Sequence, residues 1–94
     1  MLTRENPVIS ESTKHTYILR RGEDLERCHQ ALVNADFETI EDIAHRMKGN
    51  GVTFGFPKIS TLADRLERAA RDSNSEEIRK QLSELQSYIH RCAS

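Results

Sequence analysis

The sequence predicts an all-α fold, an up-and-down antiparallel four-helix bundle, on three observations. Four segments carry apolar residues at three- and four-residue spacing, the period of a helix with one buried face. The breaks between them are short and rich in turn-forming residues, which favours antiparallel neighbours. No segment alternates apolar and polar residues as a half-buried strand would.

Residues 1–15 are polar, contain Pro7 and hold no sustained period, so they read as a flexible N-terminal tail that leaves 16–94 for the bundle. The first helix, about 16–33, places Ile18, Leu25, Cys28, Leu32 and Val33 on one side. Asn34-Ala35-Asp36 breaks it, and Asp36 serves as N-cap of the second helix. There Phe37, Ile40, Ile43, Ala44 and Met47 form a stripe within about 60° of Ile40, at about 100° per residue. Where this helix ends is open. Gly49-Asn50-Gly51 is a local stop signal, since glycine costs about 1 kcal/mol relative to alanine inside a helix, yet Val52 and Phe54 can extend the period. The third helix, about 56–71, has Pro57 in its first turn and aligns Ile59, Leu62, Ala63, Leu66 and Ala70. Asp72-Ser73-Asn74-Ser75 is a turn, with Ser73 and Glu76 spaced as a capping box. The fourth helix, about 75–92, aligns Ile78, Leu82, Leu85, Ile89 and Cys92.

Ninety-four residues suffice for one domain with one modest core. The chain is 36% hydrophobic and 31% charged with a net charge of −1, and no basic stripe with interleaved aromatics argues for nucleic acid. No apolar run approaches membrane-spanning length and the N-terminus lacks the apolar centre of a signal peptide, so no membrane role and a cytoplasmic location are expected. Cys28 and Cys92 are too few for a disulfide framework and read as reduced, small apolar residues, a single bridge between them being the alternative.

The chemistry concentrates in His45-Arg46-Met47-Lys48-Gly49. On the second helix His45 falls at about 140° from Ile40, on the polar side with Glu38, Asp42 and Gly49, while Lys48 lies on the flank at about 80°. Lys48 and Gly49, three and four residues on, neighbour the ring on the same helix, one as a positive charge and one as a bare backbone position. An exposed histidine so placed suits a nucleophile that carries an anionic group. Arg46 lies on the polar side as well, a candidate partner contact beside Phe54 and Lys58; Phe54 and Phe56 also suit a plug under the turn.

The run Ala44 to Asn50, then Phe54-Gly55, then Leu62 through Leu66-Glu67, resembles the histidine phosphotransfer (HPt) domain family, a resemblance that covers about residues 16–92. The resemblance implies a four-helix bundle acting in a two-component phosphorelay. It implies phosphorylation of His45 on its outer ring nitrogen by a histidine kinase or by the aspartyl phosphate of a response-regulator receiver domain. It further implies phosphate stabilisation by Lys48 and ring access at Gly49. The chain would then be a phosphoryl carrier without its own turnover, monomeric, needing no cofactor; the Mg²⁺ belongs to the partner receiver domain. An imidazole is largely neutral and nucleophilic near pH 7. Its inner nitrogen needs a partner to fix the tautomer, for which Glu41, four residues earlier, and Gln86 on the fourth helix are the candidates. Leu66-Glu67 reads as structural, with the leucine packed and the glutamate exposed.

Two other classes compete with the phosphorelay reading. Cys28, His29, His90 and Cys92 would form a zinc site if those helix ends met, although both cysteines fall on apolar stripes. A helical interaction module that is not phosphorylated is the other alternative.

Overall fold

The computed structural model describes residues 9–94, which form α1 (Glu11–Val33), α2 (Phe37–Gly51), α3 (Pro57–Arg71) and α4 (Ser75–Ala93). Each helix packs on its chain neighbours and α4 closes back on α1, the ring of an up-and-down bundle. Its centre is filled by Ile18, Ile40, Met47, Ile59, Leu62, Leu66, Ile78, Leu82 and Leu85. Every residue of the expected stripes on α2 and α3 is buried except Phe37, which is half-buried. Val33, expected on the apolar side of α1, is 79% exposed on its last turn.

The first helix begins earlier than its periodicity predicts. Ser10 caps it by accepting from the Thr13 N–H at 3.1 Å, and Glu11 complements the positive helix end. Residues 11–15 are therefore helical rather than tail, whereas residues 1–8 of the expected tail lie outside the described residues. The first turn of α1 is polar and mostly exposed, so it carries no buried face for a hydrophobic period to report.

The two tight turns share one construction. Ala35 (φ 53°) and Ser73 (φ 53°) adopt the left-handed conformation. The N–H groups of the next residues, Asp36 and Asn74, return to the carbonyls of Ala31 and Ala69 at 2.8 and 2.9 Å. Those same next residues then cap the following helices, Asp36 accepting from the Thr39 N–H and Asn74 from the Glu77 N–H. The cap of α4 is thus Asn74 and not Ser73, whose left-handed backbone serves the end of α3 instead.

The α2–α3 connection settles the glycine question. Helix α2 runs through Gly49 and ends at Gly51, and Val52 still has helical dihedrals (φ −61°, ψ −42°). A Cβ on Gly51 would stand 2.5 Å from Ser60 Oγ and 2.8 Å from the Ser60 backbone nitrogen, so α3 approaches α2 where only glycine fits. A Cβ on Gly49 would meet nothing within 4 Å. Gly55 (φ 90°) turns the chain, and Phe54 and Phe56 stack on Tyr17 of α1 with ring centroids 4.5 and 5.7 Å away. Both phenylalanines are half-buried plugs under the turn.

These two glycines predict opposite outcomes in urea denaturation. Gly51→Ala is expected to destabilise the bundle by about 1–3 kcal/mol, the ordinary range for overpacking. Gly49→Ala is expected to leave stability unchanged or raise it by up to about 1 kcal/mol through helix propensity.

Candidate functional site

His45 stands on the outer side of α2 with its side chain 68% exposed. Its Nδ1 lies 2.9 Å from Glu67 Oε2 of α3. A carboxylate can only accept, so Nδ1 carries the hydrogen and donates it. In the neutral ring Nε2 is then left with its lone pair free, and it has no protein partner among the described residues. The Glu67 carboxylate thereby fixes both the ring's tautomer and its direction.

Glu67 is the hub. Only 6% of its side chain is exposed, and it collects three cationic or donor groups. Lys48 Nζ lies 2.9 Å from Oε1, and Arg71 donates to Oε2 at 3.2 Å beside His45. The Lys48 hydrogen bond, with help from His45, holds the Glu67 carboxyl below its usual range despite burial. The same contact holds the Lys48 ammonium above its own, so both stay charged at neutral pH. Lys48 also approaches Asp64 Oδ1 at 3.5 Å. An ammonium has three donors, so one remains for a group arriving on the ring.

The remaining expectations are sorted by this geometry. Neither Glu41 nor Gln86 orients the ring. Glu41 receives the Arg71 Nε at 3.1 Å and so reaches Glu67 one step removed. Gln86 is exposed and lines a groove between α1 and α4. Glu67, expected to be an exposed structural residue, is the ring's partner. It could have been found from the polar stripe Ser60, Asp64, Glu67, Arg71 on α3, spaced by four, three and four residues. Such a stripe beside a packed face needs a neighbour, and α2 supplies it.

Arg46 and Gly49 are exposed near the ring, and among the described residues Arg46 makes no ion pair. Phe54 belongs to the aromatic stack, and Lys58 lines the α3–α4 side with Ser83, Glu84 and Arg91. The four zinc candidates are not drawn together. Cys28 is sealed in the core with its thiol pushed up to about 12 by burial, and both cysteines are free. His29 and His90 line the α1–α4 groove, while Cys92 sits in a separate depression beside the start of α1.

Chemically, the arrangement presents an oriented imidazole nitrogen to solvent, polarised from behind by a carboxylate and flanked by a fixed ammonium. Such a nitrogen can act as a nucleophile, and the ammonium beside it can offset an anionic group. The bare position at Gly49 relieves no contact inside the fold.

Comparison with known proteins gives two matches. The Hpt domain family model matches residues 17–94. In fold, the chain is similar to the solution structure of the Escherichia coli YojN histidine-phosphotransferase (HPt) domain. The TM-score is 0.70 at 20% identity, over 98% of this chain and 86% of that one. No curated protein matches.

Because the Glu67 carboxyl is held below its ordinary value of 4.5 in the folded state, its contribution to stability is fully present above that pH. It is lost as pH falls through the lower folded value. Glu67→Gln is therefore expected to lower the melting temperature at pH 7, and the gap to the natural protein is expected to close as the pH is lowered towards 3. Thermal melts at pH 7, 4.5 and 3 check this.

Proposed function

The chain belongs to the Hpt domain family, and from that premise we propose that it is a histidine-containing phosphotransfer protein with His45 as its phosphorylated residue. The single observation that carries this reading is the ring's geometry: largely exposed, with Nδ1 held on Glu67 at 2.9 Å and Nε2 free.

In the proposed step the Nε2 lone pair attacks the phosphorus of a receiver domain's aspartyl phosphate. The N–P bond forms as the P–O bond to the aspartate breaks, and the aspartate leaves as a carboxylate. The ring, now bearing positive charge, keeps its Nδ1 hydrogen on Glu67, and Lys48 offsets the charge of the phosphoryl oxygens. Transfer onward is the same step reversed. A histidine kinase is the alternative donor. The Mg²⁺ that assists at the aspartate belongs to the receiver domain, and this chain supplies a carrier rather than a catalyst with turnover.

Docking of a receiver domain over α2 would use the surface around His45, with Arg46 and Gly49 at its centre. Among the described residues, no helix is long and apolar enough to cross a membrane. A monomer working in the cytoplasm fits the reading.

Incubation with a panel of phosphorylated receiver domains tests the assignment. The natural protein is expected to take up one acid-labile, alkali-stable phosphate. His45→Gln is expected to abolish uptake while circular dichroism and the melting temperature change little, because the ring lies outside the core. A receiver that binds without leaving phosphate on His45 would favour an unphosphorylated interaction module instead.

A further inference from the structure

At the end of α2 a hydroxyl takes the place of the backbone bond to the residue that supplies the site's ammonium. In an unbroken helix the Val52 N–H would bond to the carbonyl of Lys48, four residues back. Here the Val52 N–H donates to Ser60 Oγ at 2.9 Å, and that hydroxyl donates to the Lys48 carbonyl at 2.7 Å. Ser60 belongs to α3 and is nearly buried. It has inserted into the backbone ladder of its neighbour, an arrangement that opens and redirects a helix turn. The insertion is possible because Gly51 has no side chain: a Cβ there would occupy the space of Ser60 Oγ.

The placement matters because of what lies along the same face of α3. Ser60, Asp64 and Glu67 follow at intervals of four and three residues and so line one side of the helix. Ser60 holds Lys48 by its carbonyl, and Asp64 and Glu67 hold it by its ammonium at 3.5 and 2.9 Å. One residue of α2 is thus gripped at both ends by one stripe of α3. A lysine side chain has a long flexible stem, and fixing its amine alone leaves the root free to shift with the last turn of α2.

We infer that Ser60 is a positioning residue for Lys48, anchoring the backbone from which the ammonium reaches the phosphoryl group on His45. The inference rests on the phosphotransfer reading for its consequence, but not for its geometry. Ser60 touches neither the ring nor the phosphoryl group, so its effect passes through Lys48. Removing the hydroxyl lets the Val52 N–H return to the Lys48 carbonyl, which closes the turn and moves the root of the side chain.

The test uses the full chain phosphorylated by phosphoramidate, so that no partner is needed, with phosphohistidine followed by ³¹P NMR. Ser60→Ala is expected to shorten the phosphate's lifetime about fivefold, the factor that one ordinary hydrogen bond corresponds to. In a Lys48→Ala background the same substitution is expected to change the lifetime less than about twofold, since coupled residues do not add. An unchanged lifetime in folded Ser60→Ala, or equal shortening in both backgrounds, overturns the inference. A second readout is the Lys48 ammonium signal in ¹⁵N NMR of the unphosphorylated protein, expected to be exchange-protected in the natural chain and broadened in Ser60→Ala. An identical signal in the two also overturns it. If the natural protein takes no phosphate, the phosphotransfer reading fails while the ammonium signal still decides the role of Ser60. Should Ser60→Ala not fold, Ser60→Cys, which keeps the volume and donates only weakly, takes its place.

Discussion

The site depends on one buried carboxylate. Glu67 sits between α2 and α3 with almost none of its side chain in water, and a charge so placed is costly unless it is paired and hydrogen-bonded. Its partners are the chemically interesting groups: the inner nitrogen of His45, the amine of Lys48 and the guanidinium of Arg71. The same interaction therefore satisfies the buried charge, joins the two helices and orients the ring. No separate device is needed to prepare the nucleophile. Arg71 extends the arrangement back to Glu41 on α2, so α3 is tied to α2 by ion pairs on both sides of the histidine along the helix.

How much of this was legible in the sequence follows from what a hydrophobic period measures. It reports which face of one helix is buried, so the stripes on α2 and α3 were readable residue by residue, as was the outward direction of His45. It is silent on exposed turns, which is why the Ser10-capped start of α1 escaped it. It is equally silent on how two helices are rotated against each other. Glu41 and Gln86 were natural candidates for the ring because one shares its helix and the other looked polar and reachable. The actual partner lay on the helix across the packing seam. Only the pairing of α2 with α3 converts the polar stripe from Ser60 to Arg71 into a set of contacts.

The turn residues teach a related point. Ser73 and Asn74 are both good N-cap residues, and sequence spacing favours Ser73 through Glu76. The end of α3 decides otherwise, because closing that helix uses a left-handed residue at 73 and returns the Asn74 N–H to Ala69. Asn74 is then the first residue free to cap α4. The Ala35-Asp36 turn resolves in the same way, but there the sequence offered one strong candidate and the expectation agreed.

Gly49 and Gly51 separate the demands of folding from those of function. Both lower the helix propensity of the turn that follows His45, and a local rule treats them alike. Inside the bundle they are unlike. Gly51 is required by α3, whose Ser60 occupies the volume a side chain would need and takes the place of a backbone bond. Gly49 faces open space and relieves no contact in the folded chain. In the proposed phosphotransfer reading, the propensity given up at Gly49 serves the molecule that must come close to the ring. The inner glycine lets α3 reach the root of Lys48, and on that reading the outer one would leave clear the approach to the His45 nitrogen.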